Sequence, residues 1–170
     1  MSEMTLEGAL ATRQASKDEP VVRDEQLVKL VVFALGEAWF AFYGERISEI
    51  LARADVFFVP GCPASFEGVI NVRGDIESVF RPHALLHVAD VGVEQGASIL
   101  LGHGSEMRSG IRVDRVVDVI DVPAASIQAP PSTLSETMRS LALGVLSFER
   151  RPVTVLDIDK IFAAYANELG

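Results

Sequence analysis

Residues 66–76 read FEGVINVRGDI, and this stretch has the pattern of a β-hairpin. Two runs rich in β-branched residues flank a turn at Arg73-Gly74-Asp75. β-Branched and aromatic residues fit a pleated, half-buried surface, and a glycine supplies the backbone freedom that a tight turn needs. We therefore predict two antiparallel strands that display Arg73 on their turn, beside Asn71.

Strand-like runs continue on both sides of this hairpin. Upstream, a second hairpin is predicted around Gly36-Glu37, and residues 56–59 (VFFV) predict a short strand. Period alone does not assign Ile47–Leu51 to helix or strand. Further strands are predicted downstream at residues 98–101, 107–113, 115–122, 141–148 and 152–156. Many short strands with few helices favour small antiparallel barrels, and two barrels of about five strands each would fit the chain.

Helical patterns are few. Asp157 can cap a terminal amphipathic helix that lies across the open end of a sheet. Its apolar residues recur at helical spacing and are Ile158, Ile161, Phe162, Tyr165 and Leu169. Thr133 and Glu136 have capping-box spacing and predict a short helix from about residue 134 to 139. One or two helical turns are predicted over residues 82–88, with Pro82 at the first helical position.

Composition indicates a folded protein with an acidic balance. Hydrophobic residues make up 49% of the 170 residues, while 15 Lys and Arg face 24 Asp and Glu, a net charge of −9. This sign argues against binding to nucleic acid or to anionic membranes. Residues 1–25 are poor in apolar side chains and predict a mobile acidic tail, which leaves residues 26–168 as the folded domain.

The cellular setting follows from what the sequence lacks. Cys62 is the single cysteine, so no intramolecular disulfide can form and a reducing compartment fits best. No run approaches eighteen consecutive apolar residues, and the N-terminus lacks the pattern of a secretory signal. We expect a cytoplasmic protein without direct membrane insertion.

Catalytic and metal-binding patterns are weak. His83 and His87 are four residues apart, as metal ligands on a helix can be, but no glutamate completes an HExxH motif and no third ligand is apparent. Gly102-His103-Gly104 is too short for a phosphate loop and predicts a hairpin turn. No nucleophile, base and anion site assemble, so we predict no enzymatic activity, no metal and no cofactor.

Two features point to binding instead. In the predicted strand 56–59, alternation places one phenylalanine on each face of the sheet, and the outer one is either covered or exposed to dock a partner. Arg73 has two interpretations. It is either a solvated turn residue, or its guanidinium donates hydrogen bonds to a carboxylate or to the carbonyls of a partner helix.

The hairpin sequence resembles the central motif of the CheW family of chemotaxis coupling proteins, an aromatic residue followed by Gly-Val-Ile-Asn-Leu-Arg-Gly. The resemblance extends, in order along the chain, over about residues 26 to 168. The other segments that match the family pattern lie at residues 30–36, 46–50, 110–119, 127–131 and 156–161.

This resemblance implies a mainly β fold of two intertwined SH3-like five-stranded barrels with a C-terminal helix. It implies a non-enzymatic adaptor that couples methyl-accepting chemoreceptors to a CheA-type histidine kinase and is recruited to membrane-associated receptor arrays. The cytoplasmic receptor tip would lie in a groove between the barrels, and the kinase regulatory domain would dock on the first barrel. The receptor-binding residues carried over are Ile47, Glu49, Gly68, Asn71 and Arg73. The kinase-binding residues carried over are Val56, Phe57 and Phe58.

The sequence departs from the family pattern after the hairpin, at Ser78, Arg81 and Pro82. We expect the strand to end early there and the charge of the groove wall to change. A degenerate family member that binds only one partner is therefore an alternative function. Another is a small-ligand barrel in which His83, His87 or His103 makes polar contacts.

Overall fold

A computed structural model describes residues 26–169, and the tail predicted for residues 1–25 lies outside them. The strands are β1 (Leu27–Leu35), β2 (Ala38–Tyr43), β3 (Ile47–Leu51), β4 (Phe66–Val72), β5 (Asp75–Phe80), β6 (Ser98–His103), β7 (Arg108–Val113), β8 (Arg115–Pro123), β9 (Ala142–Phe148) and β10 (Arg151–Leu156). The helices are α1 (Glu136–Leu141) and α2 (Ile158–Leu169), and two 3-10 turns cover Gly44–Arg46 and Ala124–Ser126. Neither described helix is long and apolar enough to span a bilayer.

The described residues belong to two units. The small unit contains residues 26–28 and 122–126, in which the amide of Ala124 donates to the carbonyl of Gln26 at 2.8 Å. The large unit contains residues 29–121 and 127–169, and all the sites described below lie within it.

Two five-stranded sheets share one arrangement. The first has the order β8-β1-β2-β10-β9 and the second the order β3-β6-β7-β5-β4. In each sheet, an antiparallel hairpin (β1-β2 or β6-β7) is joined in parallel to a second antiparallel hairpin. Because β3–β7 lie in the chain between β2 and β8, the second sheet is inserted into the first, as an intertwined pair requires.

The two sheets repeat each other in detail. An isolated bridge joins Phe57 to Val69 in the second sheet, and the corresponding bridge joins Gln128 to Val145 in the first. Gly68 and Gly144 occupy equivalent positions, since they pair with Val79 and Val155 of the neighbouring strands. The equivalence supplies matched control positions for experiments on either sheet.

The main core lies between the sheets and α2. Phe33 stacks on Phe42, with ring centroids 5.2 Å apart, and Phe80 stacks on Tyr165 of α2 at 4.2 Å. Burial raises the pKa of the Tyr165 hydroxyl to about 12. The cap and the buried face predicted for α2 are present. Asp157 accepts a hydrogen bond from the Asp159 amide at 3.0 Å, and every predicted face residue except the exposed Leu169 is buried.

The predicted strand at residues 56–59 is wrong. Phe57 forms only the bridge to Val69, with its amide 2.8 Å and its carbonyl 3.0 Å from their partners. Pro60 and Pro63 lack amide donors and Gly61 has a φ of +84°, so pairing does not continue beyond the bridge. Ile47–Leu51, which the sequence left unassigned, is strand β3.

Two helix predictions also need correction. Helix α1 begins after Ser135, whose hydroxyl accepts a hydrogen bond from the Met138 amide at 3.1 Å, and not at the predicted Thr133 cap. Residues 82–88 form turns and no regular helix. The Leu86 amide donates to the Pro82 carbonyl at 3.0 Å, but His87 has a φ of +57°, which interrupts the helical path.

Candidate functional site

Arg73 stands on the turn that joins β4 to β5. Arg73 and Gly74 have φ values of +52° and +95°, which fits the two-residue turn that matches the twist of a β-hairpin. The Asn71 side-chain oxygen accepts a hydrogen bond from the Gly74 amide at 2.7 Å. Asn71 therefore fixes the turn, and the Arg73 side chain, 73% exposed, is displayed by it as predicted.

Glu49 of β3 holds the Arg73 guanidinium through a two-pronged ion pair. Arg73 Nη2 lies 2.5 Å from Glu49 Oε1, and Nη1 lies 3.2 Å from Oε2. This contact lowers the pKa of the Glu49 carboxyl and raises the pKa of Arg73. Two receptor-binding residues predicted 24 positions apart are thus brought together.

The pair borders a groove of about 520 Å³, which we call the charged groove. A second arginine–glutamate ion pair lines it, with a single contact between Arg108 Nη2 of β7 and Glu77 Oε2 of β5. Apolar side chains of Val72 and Leu101 contribute to its lining. The full lining is Ser48, Glu49, Val72, Arg73, Asp75, Glu77, Leu101, Gly102, His103, Gly104, Arg108 and Ser109.

A second groove, of about 370 Å³, adjoins the first at Val72 and Arg73; we call it the Phe57 groove. It is lined by Leu51, Arg53, Ala54, Asp55, Phe57, Asn71, Val72 and Arg73. Glu49, Asn71 and Arg73, which were predicted for the receptor, and Phe57, which was predicted for the kinase, therefore line two adjoining grooves.

The three residues predicted to bind the kinase differ in exposure. Phe57 and Phe58 are 59% and 76% exposed, so the expectation that one aromatic ring points inward is wrong. The reason is that this segment is a bridged loop, whose successive side chains need not alternate across a sheet. Val56 is half-buried and packs against the small core formed by Ile70, Val79 and Ile99.

Gly68 and Ile47 lie behind the surface. Gly68 is buried, and a Cβ atom there would lie 2.8 Å from Val56 Cγ1 and too close to the Phe57 carbonyl oxygen. Ile47 is half-buried and packs against the main core. Gly68 can therefore contribute to binding by allowing the Phe57 segment to lie close to β4. Ile47 can contribute by packing β3 against the core.

Arg81 does not change the charge of the groove wall as expected, because its side chain is buried. It belongs to an ion cluster formed by the buried Arg81 and Arg112, the half-buried Glu67 and the exposed Asp90. Glu67 accepts hydrogen bonds from Arg81 at 2.9 Å and from Arg112 at 2.7 and 2.9 Å, and Arg81 donates two to Asp90 at 2.5 Å. β5 ends at Phe80, and the Arg81 amide donates to the Ser65 carbonyl at 2.7 Å.

The histidines and the cysteine are separated in the fold. His83 is buried, with Nε2 2.9 Å from Asp114 Oδ1, whereas His87 is exposed and His103 lines the charged groove. Cys62 is exposed. Among residues 26–169, no three His, Cys, Asp or Glu side chains are grouped as a metal site would require. The turn predicted at Gly102-His103-Gly104 begins later, because Gly102 and His103 belong to β6. The Gly104 amide donates to the Met107 carbonyl at 2.8 Å across that turn.

Sequence reasoning missed Glu77, Arg108 and the ion cluster around Arg81. Glu77 and Arg108 are 31 residues apart, and Glu67 and Arg112 are 45 apart, so no local spacing pairs them. Their pairing depends on the parallel contact of β5 with β7, which only the fold reveals.

Comparison with known proteins gives a consistent result. The family model described as "CheW-like domain" matches residues 29–166. The chain is 31% identical to "Chemotaxis protein CheW" of Treponema pallidum (strain Nichols) over 84% of this chain and 86% of that protein. It is 28% identical to the protein of the same name in Rhizobium meliloti (strain 1021), over 82% and 90% of the two chains.

Among solved structures, the scaffolding protein TtCheW from Thermoanaerobacter tengcongensis matches with a TM-score of 0.71 at 23% identity. The match covers 81% of this chain and 88% of that one, and it shows the shared fold. The predicted pair of SH3-like five-stranded barrels is confirmed. Given the match of the family model to residues 29–166, the chain belongs to the CheW-like domain family.

Proposed function

We propose that this chain is a non-enzymatic adaptor that couples methyl-accepting chemoreceptors to a CheA-type histidine kinase. Membership in the CheW-like family supports the proposal, as do relatives named as chemotaxis proteins and a structural neighbour named as a scaffolding protein. The observation that carries it is the exposed Arg73 guanidinium, held by Glu49 at the edge of the charged groove. The adaptor acts in the cytoplasm, at receptor arrays.

The receptor side of the proposal is the charged groove, whose lining comes from the second sheet and its turns and not from between the barrels as the resemblance implied. Arg73 is fixed by a hairpin turn and by a two-pronged ion pair, so it loses little side-chain freedom when a partner binds. A guanidinium with unused donors suits carboxylates and carbonyls on a helical receptor tip. Glu49, Asn71 and Ile47 support this arrangement from β3 and β4.

The kinase side is the segment Val56-Phe57-Phe58, in which both phenylalanines are exposed and Val56 is half-buried. Two exposed phenylalanine side chains next to each other provide the kind of aromatic anchor that dominates many protein interfaces. The backbone bridge from Phe57 to Val69 and the packing of Val56 hold the segment in place. The adaptor acts by position, since two fixed surfaces bring receptor and kinase together without chemical turnover.

Two charge changes test the proposal against each partner separately. Arg73→Glu should weaken binding to a receptor-tip fragment at least about tenfold, because it reverses a charge beside Glu49. Phe57→Asp should weaken binding to the kinase regulatory domain to a similar degree, because it removes an apolar anchor. Both affinities are measured by calorimetry, with thermal unfolding as the check on folding.

The outcomes separate the candidate functions. If each variant loses mainly one partner, the two-surface adaptor is supported. If the wild-type chain binds only one partner, it is the one-partner competitor that the sequence left open. If the wild-type chain binds neither partner, the proposed function is wrong.

A further inference from the structure

The charged groove contains a second arginine, Arg108, which forms an ion pair with a more buried glutamate, as Arg73 does. Arg108 is 66% exposed and pairs with Glu77, which is 15% exposed, while Arg73 is 73% exposed and pairs with Glu49, which is 33% exposed. In both pairs the carboxylate is the more buried member and the guanidinium is the exposed head. Both pairs line the same groove.

Each of these arginines keeps donors that the chain does not use. A guanidinium carries five N–H groups. Arg73 directs Nη1 and Nη2 at Glu49, and Arg108 directs only Nη2 at Glu77. The Nε group of Arg73 and the Nε and Nη1 groups of Arg108 make no hydrogen bond to another described side chain or backbone group. These groups are available to a molecule in the groove.

The position of Arg108 is not explained by stability. Exposed ion pairs contribute little to folding, because water screens them and two long side chains lose freedom. Their effect on recognition is larger, since charge complementarity selects partners and their orientation. The lining also contains the carboxylate of Asp75, so the attraction comes from the two exposed guanidinium groups and not from the net charge of the groove. Together with the apolar Val72 and Leu101, these two groups fit an amphipathic occupant that carries carboxylates.

We propose that Arg108, held by Glu77, is a second receptor-binding arginine that contacts an acidic side chain of the receptor helix in the charged groove. This inference rests on the proposed function and extends it from one guanidinium contact to two. An occupant engaged at both heads is fixed in orientation along the groove, which a single contact at Arg73 does not achieve.

The test is a swapped pair, E77R/R108E. The exchange keeps an ion pair within the chain but presents a carboxylate where a guanidinium stood. We expect the affinity for a receptor-tip fragment to fall at least about fivefold, with binding to the kinase regulatory domain unchanged. The control for the reversal at the exposed arginine is Arg139→Glu on α1, an exposed site outside the groove, which should bind as the wild type does. The exchange itself leaves the net charge of the chain unchanged.

A compensating change distinguishes direct contact from a structural effect. Receptor fragments in which single exposed acidic residues are replaced by lysine are titrated into E77R/R108E. One of them should regain most of the lost affinity, since lysine would meet the new carboxylate. Arg108→Gln provides a second variant if the swapped pair does not fold, and it should weaken receptor binding about threefold or more.

Failure of this inference is distinguishable from failure of the proposed function. If Arg73→Glu weakens receptor binding while E77R/R108E and Arg108→Gln bind as the wild type does, Arg108 is not a receptor contact and the adaptor function stands. If no fragment restores binding to the weakened swapped pair, the direct contact is wrong. If the wild-type chain does not bind the receptor, both proposals are wrong.

Discussion

Glu67 holds a single negative charge between two buried guanidinium groups. Burial alone would raise the pKa of this carboxyl, but hydrogen bonds and charges from Arg112 and Arg81 outweigh burial and lower it. Removing one member of such a cluster leaves buried charges without a partner. Arg81, which departs from the family pattern, therefore serves as the partner of both Glu67 and Asp90.

We expect Glu67→Gln to lower the free energy of unfolding by about 2–3 kcal/mol, because two buried cations lose their shared anion. Chemical denaturation at neutral pH measures this. Glu94→Gln, at an exposed site without an ion pair among the described residues, is the control and should unfold like the wild type. Equal stability of both variants would show that Glu67 does not support the two arginines.

The low pKa of the Asp90 carboxyl predicts how the stability of the folded state changes at acidic pH. The hydrogen bond from Arg81 lowers the pKa of Asp90 to about 2, against the desolvation that would raise it. A carboxyl whose pKa is depressed by folding stabilises the folded state above its unfolded pKa of 3.8 and loses that contribution as pH falls toward 2. Asp90→Asn should therefore flatten the decline in stability between about pH 4 and pH 2. An unchanged pH profile in denaturation experiments would contradict the assignment.

At the scale of elements, the sequence predicts hairpins from local patterns, but it does not predict contacts between distant segments. The β4–β5 hairpin and α2 follow from local signals, namely a glycine turn between β-branched runs and apolar residues at helical spacing. The segment around Phe57 has strand-like composition, yet Pro60 and Pro63 limit it to one bridge. The pairing of Arg108 with Glu77 requires the neighbouring strands β5 and β7, which no local pattern specifies.

Gly68 of β4 allows the Phe57 segment of the proposed kinase surface to lie close to the strand. A methyl group at Gly68 would displace Val56 and Phe57, so Gly68→Ala should lower stability by about 1–3 kcal/mol and also weaken kinase binding. Gly144→Ala is the matched control, because its Cβ would lie 2.6 Å from the Gln128 carbonyl oxygen in the equivalent place of the first sheet. It should lower stability similarly without affecting the kinase. Equal kinase binding by both variants would separate the Phe57 segment from kinase docking.

At the scale of the whole molecule, two similar barrels carry different surfaces. The turn of β4 and β5 displays Arg73, whereas the equivalent turn of β9 and β10 displays Glu149 and Arg150. The bridged segment of the second sheet exposes Phe57 and Phe58, whereas Gln128 and Ala129 occupy the equivalent positions in the first. The two barrels thus share one fold but differ in their exposed side chains. These differences place the proposed receptor and kinase contacts on the second sheet.

The most direct measurement of coupling uses all three components. An immobilised receptor-tip fragment is exposed to the kinase regulatory domain, first alone and then with the wild-type chain, and the retained kinase domain is quantified. We predict that the kinase domain is retained in proportion to the chain added. Equal retention without the chain, or displacement of the chain from the receptor fragment by the kinase domain, would contradict an adaptor that holds both partners at once.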